Sequence, residues 1–106
     1  VSAAEASRWP SSVPTPPEAI EEPSVWLHLG DGAWTRHYVA WRREPVEEVV
    51  VSVLGHQDHT GHIDREITVE TGPDGGLDAG QARAVAAALI EAATEVERLA
   101  IQQEAP

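Results

Sequence analysis

The chain has 106 residues, of which 18 are acidic and 7 basic, giving a formal net charge of −11. Every basic residue is Arg, and Lys, Asn, Phe, Met and Cys are absent. Such acidity argues against general binding to nucleic acid or to an anionic membrane, both of which rest on summed positive potential. The missing cysteines exclude a disulfide framework and thiolate metal ligands.

The longest uninterrupted apolar stretch, residues 84–90, is far too short to cross a bilayer, and no basic segment leads into an apolar run at the N-terminus. The expectation is a soluble, cytoplasmic protein with one domain over residues 24–103 and a tail at 104–106. Residues 1–23 carry five prolines (Pro10, Pro14, Pro16, Pro17 and Pro23), with only Trp9, Val13 and Ile20 as sizeable apolar groups. They are read as a disordered or extended leader, because so little apolar surface cannot offset the entropy of ordering. Pro14-Thr15-Pro16-Pro17 has polyproline II character and could dock in an aromatic groove.

From Val25 the pattern changes to period two. Residues 25–29 read as a strand, Gly30-Asp31-Gly32 as a tight type I′ turn, and 33–42 as a second strand. With Asp31-Gly32 alone as the loop, Leu29 should face Trp34. Val25, Leu27, Leu29, Trp34, Tyr38 and Ala40 would then share one face, and Trp26, His28, Thr35, His37, Val39 and Trp41 the other. Residues 47–54 are β-branched and apolar on both faces, as a central buried strand should be. Residues 62–71 alternate, with Ile63, Ile67 and Val69 on one face and Asp64, Glu66, Thr68 and Glu70 on the other; Arg65 is the exception. That is a one-sided strand near an edge.

After the break at Gly72-Pro73-Asp74-Gly75-Gly76, a helix is expected, with Asp78 as N-cap and Gln81 completing a capping box. Val85, Leu89, Ala92, Val96 and Leu99 recur at helical spacing and define its core-facing stripe. The expected fold is α+β, a four-stranded antiparallel meander followed by one long C-terminal helix packed on one face. A core drawn from some eighty residues is small, so the opposite sheet face must be polar or covered by a second copy.

The run Leu77-Asp78-Ala79-Gly80-Gln81-Ala82-Arg83, continuing through Ala86-Ala87-Ala88-Leu89 to Glu97-Arg98-Leu99, resembles the closing helix of small uncharacterised actinobacterial and actinophage domains. A GC-rich coding bias, which depletes Lys, Asn, Phe and Met, agrees with that source. The resemblance implies no catalytic residue.

Three groups of residues could carry chemistry. His56, His59 and His62, with Asp58 between the first two, lie in what reads as a hairpin loop of about eight residues bracketed by Gly55 and Gly61. Folded around zinc or another divalent transition metal, the imidazoles would supply three ligands and Asp58 or water the fourth. On a strand, residues three apart point to opposite faces, so convergence requires the loop. Solvated histidines with no specific task are the simpler alternative. The second group is the aromatic and arginine-rich strand, from which Trp26, Trp34, Arg36, Tyr38, Trp41 and Arg42 are the expected contact surface for a protein partner or a homodimer. Stacking of single-stranded nucleic acid on the same strand is disfavoured by the net charge. The third is the acidic row Asp64, Glu66 and Glu70, which could imitate a phosphate backbone or simply maintain solubility. No nucleophile–base spacing or phosphate-binding glycine loop points to an enzyme. The sequence therefore reads as a small interaction or regulatory domain without a membrane role, with metal binding and acidic mimicry as alternatives.

Overall fold

The structure, a computed structural model, describes residue 10 and residues 12–104. Strands β1 (Leu27–Gly30), β2 (Ala33–Val46), β3 (Val49–Asp58) and β4 (Ile63–Glu70) form one antiparallel sheet in the order β1-β2-β3-β4. Helix α1 (Ala79–Glu104) closes the chain and packs on one face of that sheet, making the α+β arrangement read from the sequence. None of the described helix is long and apolar enough to cross a membrane.

The core lies between α1 and the two central strands. Val49, Val51 and Val53 of β3 meet Tyr38 and Ala40 of β2 beneath Val85, Ala88, Ala92 and Leu99 of α1. β3 is the only strand flanked on both sides by long strands, which explains its apolar composition on both faces. A register shift between Val39 and Trp41 gives β2 one extra residue opposite β3. Ala40 and Trp41 consequently both turn toward the helix, while Val39 remains opposite Leu54 on the open face.

The β1–β2 hairpin turns on Asp31 and Gly32, both at positive φ (52° and 77°), as a type I′ turn requires. The loop length matches the sequence reading, but the register does not. A shift between His28 and Gly30 brings His28, rather than Leu29, opposite Trp34. The two rings lie 4.6 Å apart. Leu29 absorbs the bulge and stays exposed, and Trp26 moves to the face that carries Arg36.

The helix begins where the capping box places it. The Gln81 backbone N–H donates to Asp78 Oδ1 (2.8 Å), and the Asp78 N–H donates to Gln81 Oε1 (2.9 Å). Arg65 of β4 donates to Gln103 late in the helix, so α1 ends over the start of β4.

Residues 12–23, expected to be a disordered or extended leader, lie against the sheet together with Ser24. The Ile20 N–H donates to the Val39 carbonyl (2.9 Å) and the Ser24 N–H to the His37 carbonyl (2.8 Å). This strap thereby prolongs β1 irregularly along the edge of β2, then crosses onto the helix-bearing face through Pro16, Pro17 and Glu18. What orders it is polar fastening rather than apolar area, as the next subsection describes. The leader expectation for residues 1–9 and 11, and the tail at 105–106, lie outside the described residues.

Candidate functional site

The aromatic and arginine-rich strand is largely internal. Tyr38 is 1 %, Trp26 6 % and Arg36 9 % exposed, so these three residues do not form a contact surface on the described chain. Their role is to fasten the strap. The Arg36 guanidinium stacks 4.4 Å from the Trp26 ring centroid and donates to Gln57 Oε1 (2.8 Å), to the Pro14 carbonyl (3.0 Å) and to the Val13 carbonyl (3.3 Å). Gln57 Nε2 also donates to the Pro14 carbonyl (3.3 Å). Burial lowers the Arg36 pKa from its ordinary value.

A second fastening lies beneath the C-terminal half of α1. The Tyr38 hydroxyl donates to Glu18 Oε2 (2.7 Å), and Arg65 Nε–H donates to the same oxygen (2.8 Å) while its Nη2 donates to Glu18 Oε1. The side chains of Arg65 and Glu18 are only 6 % and 11 % exposed. Burial alone would raise the Glu18 carboxyl pKa. The hydrogen bonds from Arg65 and Tyr38, with the Arg65 charge, outweigh it and hold the group below its ordinary value. Burial, then the adjacent carboxylate, push the Tyr38 phenol well above its usual range. The Tyr38 ring reaches Glu18 only because Gly55 lies under it: a Cβ at position 55 would stand 2.1 Å from Tyr38 Cζ. Arg65, the exception to the alternation of its strand, is explained by this pair.

The remaining members of the expected contact set are nearer the surface. Trp41 packs partly against the core, with the Arg43 guanidinium 4.9 Å over its ring. Arg42 is exposed and paired with Glu21 of the strap (3.1 Å). Trp34 is half-buried beside His28.

The histidine stretch is a shorter loop than its sequence implies. β3 continues through Asp58 and β4 starts at Ile63, leaving only residues 59–62 between them. Asp58 organises that turn: its Oδ1 accepts the backbone N–H of Thr60 (2.8 Å) and of His62 (3.0 Å). Gly61 supplies the positive φ of 92°. The Thr60 hydroxyl, first among several donors, draws the Asp58 carboxyl pKa down. The three imidazoles then go to separate partners. His56 Nε2 lies 3.0 Å from Glu66 Oε1 and His62 Nε2 3.1 Å from Asp64 Oδ1. His59 Nδ1 accepts the Trp34 N–H (3.3 Å). The fold does not bring His56, Asp58, His59 and His62 into one ligand set. Among the described residues no cluster of three or more His, Asp or Glu side chains could hold a metal ion.

One surface was missed by sequence reasoning. Among the described residues no strand pairs with β4 on the side away from β3, although β4 runs eight residues with an unbroken register. Its helix-side residues Ile67 and Val69 are 38 % and 45 % exposed. Glu91 of α1 turns toward Arg43 of β2, so the opposite flank (Leu89, Ala93 and Val96) lies on the β4 side, while Ile90, two residues from both buried Ala88 and buried Ala92, points away from the sheet. The other face of β4 carries Asp64, Glu66, Thr68 and Glu70, opposite His56, Leu54, Ser52 and Val50 of β3. The available signal was the placing of Ile67 and Val69 on a one-sided strand near an edge.

A cleft of about 490 Å³ between the strap and the end of α1 is the other concavity of note. Its buried charges, Glu18 and Arg65, are spent on each other, and among the described residues no buried side-chain polar atom lacks a partner. No buried polar group is therefore left to orient a small ligand there. Comparison of the chain with protein-family models, with curated proteins and with solved structures finds no match.

Proposed function

We propose that this chain is a protein–protein interaction module whose contact surface is β4 together with the flank of α1 beside it. The observation that carries the reading is the exposure of Ile67 and Val69 on a regular edge strand. Neighbouring exposed apolar side chains beside open backbone donors and acceptors are a common form of binding surface, whereas scattered single residues are not. The aromatic strand is replaced as contact surface because its largest groups hold the strap. A partner of net positive charge suits the chain's −11 better than a second copy does.

The test is site-specific photocrosslinking in extract of the source cells, with the probe at position 93 and, as control, at the exposed position 87 on the other side of α1. A discrete adduct from position 93 that disappears with Ile67→Lys supports the reading. Equal adducts from both positions, or none from position 93, would remove it.

A further inference from the structure

We propose that the partner contributes an extended segment that adds to the sheet as a fifth strand beside β4, and that this segment alternates basic and apolar residues. The inference rests on the interaction-module reading and specifies its ligand. Among the described residues nothing pairs with the outer side of β4, and an edge strand directs alternate N–H and C=O groups away from its neighbour. It is regular throughout: its eight residues pair with β3 without a bulge, and it contains no proline, so nothing in its backbone obstructs another strand.

The side chains define which strand fits. Successive residues of an added strand point to opposite faces of the sheet. On the helix side they meet Ile67 and Val69 and lie beside the flank of α1 that carries Leu89 and Ala93. On the open side they meet Asp64, Glu66 and Glu70. Apolar residues toward the helix and Lys or Arg toward the open face satisfy both, because opposite charges directly across a strand pair stabilise and like charges do not. A second copy of this chain fits poorly. Antiparallel pairing of β4 with itself would set this acidic face against its own carboxylates, with no basic residue on the open face of β4 to relieve them. Arg65 cannot serve, because it lies on the helix side and is held by Glu18 and Gln103.

The experiment uses the full chain and two synthetic peptides of about eight residues, the length of a typical strand. In one, Lys and Val alternate; in the other the same residues stand in two blocks, with identical charge and composition. Binding is read by calorimetry and by hydrogen exchange resolved along β4. The expected result is binding of the alternating peptide at least about tenfold tighter than the block peptide, with new protection at alternate β4 amides. Glu66→Lys with Glu70→Lys should abolish that preference. Glu22→Lys with Glu104→Lys, which changes net charge equally, should leave affinity within about twofold. Equal binding of the two peptides, protection confined to the strap edge, or light scattering showing wild-type chains dimerising through β4 would each overturn the proposal. A partner crosslinked at position 93 without any preference between the peptides would retain the interaction surface and remove the added strand.

Discussion

At one edge of the sheet, β1 is four residues long, bulged between His28 and Gly30, and preceded by Pro23 in a strap that lies over the side of β2. At the other, β4 runs eight residues in unbroken register with no proline and no cover among the described residues. Shortness, bulges and prolines are ways in which a protein blunts a strand edge, and the first edge uses all three. The second uses only charge, on one of its two faces. The difference teaches that, on the proposed reading, the acidic row of β4 would repel a like-charged strand while leaving the backbone open to a basic one.

The largest test of that contrast attacks the strap. Arg65→Ala would strip Glu18 of its partner in a nearly buried setting and is expected to cost about 3–5 kcal/mol, read by chemical denaturation. Replacing both partners, Glu18→Leu with Arg65→Met, should recover most of the loss, because packing then substitutes for the pair. If the single variant cost no more than an exposed ion pair, the strap would not be fastened as described.

Next in size is Gly55→Val. The new side chain would occupy the space of the Tyr38 ring, whose buried position leaves no room to retreat, and a loss of about 3 kcal/mol is expected. Equilibrium denaturation with Trp26 fluorescence as a local probe would show whether the strap leaves before the sheet unfolds.

A smaller effect follows from acid. Glu18 is held below its ordinary value of 4.5, so its contribution is complete above that value and is lost as pH falls through the lower folded value. Glu95 and Asp58 titrate in the same direction. The difference in stability between pH 7 and strongly acidic solution should therefore be smaller in Glu18→Gln than in the parent chain. An unchanged difference would show that Glu18 does not contribute.

Smallest of all is the effect of changing the β4 side. Val69→Lys and Glu70→Lys alter exposed residues and should each shift stability by no more than about 0.5 kcal/mol. A large destabilisation by either would mean that this surface is part of the core rather than a place for a partner.

Much of the architecture was legible because it depends on local rules. The β-branched run Val49-Val50-Val51 marked the central strand, Asp31-Gly32 the hairpin, and Asp78 with Gln81 the helix start. The register of β1 was not legible, because a bulge at Leu29 has no signal beyond an ordinary apolar residue. The strap was misread for a physical reason. Its few apolar groups cannot order it, and the charges that do, Arg36 and Arg65, stand 22 and 47 residues from their strap partners Pro14 and Glu18. Composition of the segment alone contains neither. The candidate site suffered similarly: the equal spacing of His56, His59 and His62 drew attention to a loop. Asp58 folds that loop into a tight turn, which gives each ring a different neighbour.

The separation between Glu18 and Arg65 has a further consequence, in the order of folding. Closing so distant a contact costs more chain entropy than zipping β3 to β4 across a four-residue turn, so strap docking should follow the rate-limiting step. Interactions made after that step leave the folding rate nearly unchanged and govern the rate of unfolding. The Glu18–Arg65–Tyr38 lock would then act as a kinetic latch, setting how long the folded chain persists rather than how fast it forms.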